Sequence, residues 1–241
     1  MATYSTRLVS REEVARGTLA FHLEKPAGFE FRPGQAMDVI LPGAADSGSA
    51  DARHTFSIVS APHEPELVFA TRMREGSVFK RALGALADGA PLQLDGPFGS
   101  LVLHRKPTRA GVLIAGGIGV TPFMSMLRHA VHVGSEQDLV LLYSNRRPED
   151  TAFLAELQAL ARSNPRFRLL VTMTDMAHSS QAWDGATGLI DADFIRRAAE
   201  GLAEPIYYVS GPPAMVEAMR DTLEDAGVDE DDVRSEEFFG Y

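Results

Sequence analysis

The stretch Gly111–Val133 (GVLIAGGIGVTPFMSMLRHAVHV) constrains this chain more than any other. Val112 to Ala115 is a short unbroken apolar run, the form expected of a parallel strand buried on both faces. Gly116, Gly117 and Gly119 follow at once, and glycine lets a backbone turn tightly and an anion approach bare amides. Pro122 suits the first position of a helix and Thr121 can cap it. Phe123, Met124, Met126, Leu127, Ala130 and Val131 then keep a helical period, so a helix is expected over Thr121–Val133. Free N–H groups and the helix dipole at such a start make a seat for phosphate. A glycine-rich loop can also simply turn a corner. The strand before it and the proline-led helix after it favour the seat.

The same rhythm continues to the end of the chain. Strands are expected at Gly111–Ala115, Leu139–Ser144, Arg168–Thr174 and Ile206–Ser210, alternating with helices at Thr121–Val133, Thr151–Ala161, Asp191–Glu200 and Pro212–Ala226. Such alternation builds a parallel sheet covered on both faces, with ligands at the carboxyl ends of its strands. The first hundred residues read differently. Short strands at Arg16–Leu23, Gln35–Leu41, His54–Ser60, Glu66–Arg74 and Leu92–Leu94 are broken by turns at Pro33-Gly34 and Asp95–Gly99, with one helix at Ser77–Leu86. Gly43–Ala52 reads as a mobile small-residue loop. That pattern predicts a small antiparallel β-barrel. The two domains expected are therefore a barrel over 1–104 and an α/β domain over 105–241, with His104–Thr108 as linker.

Composition narrows the chemistry. There are no cysteines, which excludes disulfides, thiolate zinc sites and Cys-held iron–sulfur clusters within these residues. No metal site is expected. The net charge of −10 argues against nucleic acid as a partner. No apolar run approaches the ~18 residues of a membrane span, and Met1–Ser10 lacks a secretory pattern, so the cytoplasm is the expected compartment.

Other stretches fall where this architecture puts ligands. Arg53-His54-Thr55-Phe56-Ser57 sets a cation, an aromatic ring and hydroxyls along one strand, with Phe56 offering a flat face and Ser57 a hydroxyl to a heteroaromatic nitrogen. Gly76-Ser77-Val78 opens the helix of the first half, close in sequence to Arg72, Met73 and Arg74. Ser210-Gly211-Pro212-Pro213 runs from an apolar strand into a helix, and Glu236–Tyr241 ends the chain in three aromatics, which favours a docked tail.

Taken in order, these motifs resemble the ferredoxin–NADP reductase superfamily over nearly the whole chain. Phe31–Gln35 is similar to its P-G-Q turn, and Phe56-Ser57 to the Y-S of its R-x-Y-S flavin motif. Asp95–Gly99 is similar to its G-P-x-G turn, Gly116–Pro122 to its G-G-x-G-x-T-P, Gly211–Pro213 to its G-P-P, and Glu236–Phe238 to its late E-x-F. The resemblance implies a flavin-binding barrel followed by a nicotinamide-binding domain. It implies FAD, in preference to FMN, with its pyrophosphate at Gly76–Val78 near Arg72 and Arg74. NADPH or NADH would rest its pyrophosphate on Gly117, Gly119, Thr121 and Pro122, with Gly211 and Pro212 close by. Hydride would pass to the flavin, with Ser57, Ser210 and Glu236 in the catalytic group and Phe238 or Tyr241 covering the ring. Electrons would leave to a separate acceptor: a ferredoxin, a flavodoxin, an oxygenase or a small molecule. A non-catalytic electron-transfer subunit and a flavin reductase releasing reduced flavin are the alternatives.

The chain departs from the pattern in places. His54 stands in the family arginine's register, with Arg53 one residue away on the other face of the strand. Phe79 holds the serine place of G-x-x-S, and Ser210 replaces a cysteine. After the strand Leu139–Tyr143, Arg146 and Arg147 offer a guanidinium fork for a 2′-phosphate, which favours NADPH. Glu149 and Asp150 are expected to compete for those arginines. The cations Arg72, Arg74, Lys80 and Arg81 are the expected docking surface for the acceptor.

Overall fold

A computed structural model describes residues 2–42 and 52–238 of the 241-residue chain. Most of the loop expected at Gly43–Ala52, and Tyr241, lie outside the described residues. The chain divides into two compact units, Met1–Val102 with Thr121–His129, and Leu103–Val120 with Ala130–Tyr241.

The first unit holds a six-stranded antiparallel sheet in the order β4-β3-β6-β1-β2-β5. Its strands are β1 (Ala2–Ala15), β2 (Thr18–Glu24), β3 (Ala36–Ile40), β4 (Arg53–Ser57), β5 (Glu66–Arg72) and β6 (Pro91–Phe98). β1 pairs with β6 through residues 2–7 and with β2 from Leu8 onward, and register shifts at Leu8/Ser10 and Glu13/Ala15 bend it round the corner. The two outer strands of the order meet through the isolated bridge Ile58–Phe69. The sheet therefore curls like a barrel without closing along its length. Its interior is filled by Phe21, Leu23, Met37, Phe69, Phe79 and Leu94, each essentially buried. Burying a side chain of this size stabilises by about 1.5–3 kcal/mol.

One sequence expectation needs correction here. The stretch Asp95–Phe98 is strand rather than turn, because Asp95 and Phe98 keep ladder partners Asp38 and Ala36; the turn begins at Gly99, at φ +102°. At the P-G-Q turn, a Cβ on Gly34 would lie 2.1 Å from the Leu101 carbonyl oxygen, so only glycine fits.

The second unit holds a six-stranded sheet in the order β10-β9-β8-β7-β11-β12, parallel throughout. The strands are β7 (Gly111–Gly116), β8 (Leu139–Asn145), β9 (Phe167–Met173), β10 (Ala186–Thr187), β11 (Ile206–Gly211) and β12 (Val233–Glu237). Every residue of β7 and β11 is buried, which is why both read as unbroken apolar runs. On one face Val112, Ile114, Val140, Leu142 and Val209 pack with Ile195 and Ala198 of α4 (Ala192–Ala199) and Val216, Met219 and Leu223 of α5 (Pro213–Asp225). The remaining helices are α1 (Val78–Gly84), α2 (Thr121–His132) and α3 (Leu154–Ser163). His104 is anchored rather than a free linker. Its backbone N–H donates to the Tyr208 hydroxyl at 2.9 Å, and its Nδ1 lies 2.7 Å from the same oxygen.

Candidate active site

The coenzyme side is built at the carboxyl ends of β7, β11 and β12. One 3-10 turn, Gly117–Val120, separates β7 from α2, so the helix does not begin directly on the glycines. Gly117 takes the left-handed conformation at φ +53° and a Cβ there would meet open space. Gly119 differs. A Cβ on it would lie 2.3 Å from the Ser210 carbonyl oxygen and 2.7 Å from Gly211 Cα. A Cβ on Gly116 would lie 2.2 Å from the Met215 sulfur. Gly119 thus lets the turn after β7 approach the backbone of β11, Gly116 makes room for the Met215 side chain of α5, and Gly117 supplies the bare turn. Thr121 and Pro122, at the start of α2, are both buried.

Ser210 and Glu236 are brought together here. They are register partners on the parallel strands β11 and β12, and partners in a parallel ladder present their side chains on the same face. Ser210 is fully buried, and neither its hydroxyl oxygen nor Oε2 of Glu236 has a hydrogen-bond partner. Burial pushes the Glu236 carboxyl up to about 7. Buried polar atoms are almost always paired in a folded protein, so these two oxygens on neighbouring strands are left able to take a hydrogen-bonding group. Beyond β12 the Phe238 N–H donates to the Gly211 carbonyl at 2.9 Å, so the tail is docked as an edge strand through Phe238.

At the end of β8 the expected arginine fork is not open. The Arg147 guanidinium donates to Asp150 at 2.7 Å and to the His178 carbonyl at 3.3 Å. Arg146 donates to Asp175 at 2.9 Å, and the Asp175 backbone N–H donates to the Arg146 carbonyl at 2.8 Å. His178 and then Arg146 hold the Asp175 carboxyl below its ordinary range. Glu149 does not compete for Arg146; it accepts from Ser179 Oγ and from the N–H and Oγ of Ser180. The stretch Thr172–Asp175 resembles the place where NADPH-using relatives carry a further arginine, but that Asp175 pairs with Arg146 follows only from the ladder between β8 and β9.

In the first unit, strand alternation separates the candidates of β4. Arg53 and Thr55 turn to one face, where Arg53 pairs with Asp38 and Asp95 and Thr55 donates to Asp38. His54 turns the other way, its ring 4.3 Å from that of Phe79 on α1. His54, not Arg53, shares the side of α1. Phe56 does not present an open flat face, because its ring stacks on Phe69 at 4.7 Å inside the core. Ser57 is buried at the end of β4. Ser77 caps α1 by accepting from the Lys80 N–H, Val78 is exposed, Gly76 borders open space, and Met73 packs on the barrel core. With only seven residues, α1 adds little dipole. Positive charge comes instead from Arg72 and Arg74, neither of which has an ion pair among the described residues. Lys80 is buried, with Nζ donating to the Arg72 carbonyl at 3.0 Å. It is therefore no docking cation. Unpaired guanidiniums beside a buried ammonium fit the phosphates of a flavin dinucleotide.

Among the described residues no cluster of His, Asp or Glu could hold a metal ion, and no helix is long and apolar enough to cross a membrane. Residues 113–221 match the model of the oxidoreductase NAD-binding domain, which makes the parallel-sheet unit a nicotinamide-nucleotide domain by class. The chain as a whole belongs to the ferredoxin–NADP reductase superfamily. It is 30% identical over 209 residues to ferredoxin–NADP reductase B of Sorangium cellulosum, covering 84% of this chain and 83% of that one. It is 28% identical over 240 residues to the reductase component of propane 2-monooxygenase from Rhodococcus jostii, covering 97% of this chain but 63% of that protein. The chain thus spans less than two-thirds of that relative's length. In fold it matches the cytochrome P450 reductase GcoB of Amycolatopsis, with a TM-score of 0.84 and 22% identity over 98% of this chain and 70% of that one. A ferredoxin NADP+ reductase from Neisseria gonorrhoeae, solved with bound FAD and NADP, matches with a TM-score of 0.82 and 19% identity over 99% and 100% of the two chains.

Proposed function

We propose that the chain is an FAD-dependent NADH oxidoreductase that passes electrons to a separate acceptor, an oxygenase component or a ferredoxin. The observation that carries this reading is the Ser210–Glu236 pair, two buried and unpartnered oxygens beside the glycine turn. A nicotinamide carboxamide complements them: its NH2 can donate to Glu236 and its carbonyl can accept from the Ser210 hydroxyl. Gly117 leaves room for the pyrophosphate. These residues bind and orient the coenzyme, and alignment supplies much of the rate in a hydride transfer. Arg72, Arg74 and Lys80 would hold the flavin phosphates, and Ser57 would hydrogen-bond the ring. The flavin supplies a hydride acceptor that can release its electrons singly or in pairs.

The preference for NADH rests on Arg146 and Arg147. Both already face carboxylates, so a 2′-phosphate would have to displace Asp175 or sit against its charge. We expect kcat/KM for NADH to exceed that for NADPH by about tenfold or more, since one lost charged hydrogen bond is worth about that factor. Asp175→Ala should raise kcat/KM for NADPH. If the parent preferred NADPH and Asp175→Ala left that preference unchanged, the assignment would be wrong.

The names of the relatives support the choice of acceptor: a propane 2-monooxygenase reductase component, a glycine betaine monooxygenase reductase subunit and a ferredoxin–NADP reductase. The absence of cysteine means that no Cys-held cluster within these residues relays the electrons. Reconstitution tests the reading. After loading with FAD and desalting, the protein should keep its visible absorbance band and oxidise NADH with ferricyanide as acceptor. A protein that lost its colour yet reduced added flavin would be a flavin reductase. One that did neither would overturn the proposal.

A further inference from the structure

The chain leaves β9 at Met173 and returns to the same edge as β10, where Ala186 and Thr187 pair with Thr172 and Met173. The residues between form a strap, and its first half lies along the turn that follows β8. Two short 3-10 turns meet there, Pro148–Asp150 and Met176–His178. Side chains tie them together with unequal strength. Arg146 holds Asp175, but the arginine side chain is 63% exposed, and an ion pair so open to water is worth little. The Arg147 guanidinium reaches the His178 carbonyl only at 3.3 Å. The strong tie is Glu149. This carboxylate, 9% exposed, accepts from Ser179 Oγ at 2.9 Å, the Ser180 N–H at 3.0 Å and Ser180 Oγ at 3.1 Å. Bonds to an ionised acceptor are the strong ones. The Ser180 N–H foremost holds the carboxyl down to about 2, so Glu149 is ionised throughout the neutral range.

We infer that Glu149 is a positioning residue for coenzyme selection: by gripping Ser179 and Ser180 it fixes His178, which keeps the Asp175 carboxylate turned onto Arg146 and a 2′-phosphate out. The inference rests on the NADH reading above and adds to it the residue that sets the geometry. The Asp175 backbone is held by its own N–H, which donates to the Arg146 carbonyl at 2.8 Å. Its carboxylate is shared between Arg146 at 2.9 Å and His178 Nδ1 at 2.6 Å. The His178 side chain is mostly exposed, so its place depends on the backbone it shares with Ser179. With the strap loosened, the Asp175 carboxylate loses that orientation and Arg146 can turn its guanidinium to a phosphate. Glutamine at position 149 separates this positioning from simple charge. Its Oε1 can accept from Ser180, and its Nε2 can donate to Ser179 Oγ, whose own proton has the Gln181 carbonyl as acceptor at 2.8 Å.

Calorimetric titration of the full chain with 2′,5′-ADP and with 5′-AMP, which lacks the 2′-phosphate, tests the inference. Glu149→Ala should tighten binding of 2′,5′-ADP by about fivefold, the scale of one charged hydrogen bond, and leave 5′-AMP within about twofold. Amide exchange over Met176–Ser180 should quicken in the same variant. Glu149→Gln should stay within about twofold of the parent in both affinities, with exchange unchanged. In an Asp175→Ala background, Glu149→Ala should add less than about twofold, because its effect runs through that carboxylate. Equal gains from Glu149→Gln and Glu149→Ala would show that Glu149 acts by charge alone and would overturn the inference. So would a Glu149→Ala variant whose affinity for 2′,5′-ADP is unchanged. Should Glu149→Ala fail to fold, Ser179→Ala combined with Ser180→Ala removes two of the three ties from the other side; it should give a gain in the same direction, and no gain would overturn the inference. These probes need neither flavin nor hydride transfer. A parent that bound 2′,5′-ADP more tightly than 5′-AMP would contradict the NADH preference, and the response to Glu149→Ala would be read separately.

Discussion

Gly119→Ala is expected to slow reduction by NADH about a hundredfold while leaving FAD affinity unchanged. The added methyl would lie 2.3 Å from the Ser210 carbonyl oxygen, 2.6 Å from its carbonyl carbon and 2.7 Å from Gly211 Cα. All three are backbone atoms of β11, so no flexible side chain can swing aside. Overpacking of this kind costs about 1–3 kcal/mol, and a backbone clash belongs at the upper end. The strand must move, and it carries Ser210, register partner of Glu236. A loss of about 2.7 kcal/mol in transition-state stabilisation is a hundredfold in rate. The flavin residues named above lie on β4, on β5, on α1 and in the turn between the last two, all in the other unit. Gly117→Ala provides the contrast. Its Cβ would meet open space, and only the positive φ resists it, at about 1 kcal/mol. Stopped-flow reduction of the two variants should separate them by at least about tenfold. Equal rates would show that the approach of β7 and β11 does not position the coenzyme.

The second large effect lies on the pH axis. Burial raises the Glu236 carboxyl from 4.5 in the unfolded chain to about 7. Between those values the folded protein holds a proton that the unfolded chain has released, so stability falls as pH rises through the window. This contribution is fully present below the unfolded value and lost as pH passes the folded one. A shift of this size corresponds to at most about 3 kcal/mol, and partial exposure reduces it to about 2. Glu236→Gln removes the titrating proton and should flatten that part of the profile. Urea unfolding at pH 5 and pH 8 tests it. The parent should lose about 2 kcal/mol more than the variant between the two. Parallel losses would mean that Glu236 titrates as an ordinary solvated carboxylate.

The parts of this molecule that could be read in its sequence are those whose residues are buried on every side. Val112–Ala115, Leu139–Tyr143 and Ile206–Val209 are apolar throughout because both faces of their strands are covered, and the helices between them keep a clear period. The strand β1 went unseen for the opposite reason. Of its fourteen residues only Thr6 and Leu8 are buried, so it carries almost no apolar pattern, and its place is set by partners as distant as Gly96. The edge strand β12, Val-Arg-Ser-Glu-Glu, gives no local signal for the same reason. That matters for the site, because the ladder of β12 with β11 is what sets Glu236 beside Ser210. The two residues were identifiable from the family resemblance, but their adjacency and lack of partners were not. The acidic partners of Arg146 and Arg147 come from different places: Asp150, three residues on, was within reach of a local reading, whereas Asp175 meets Arg146 only across the ladder. Lys80 read as a surface cation because Lys80-Arg81 looks like the polar stripe of an amphipathic helix, and burial of one of a charged pair leaves no mark in sequence.

The central claim is that one chain binds a flavin and reduces it with a nicotinamide coenzyme. Anaerobic titration of the FAD-loaded protein with NADH, followed in the visible spectrum, tests that claim most directly. The account predicts that the flavin band bleaches in proportion to NADH added, with an end point near one equivalent per flavin. A flavin band that stays unbleached by excess NADH and NADPH alike would contradict it.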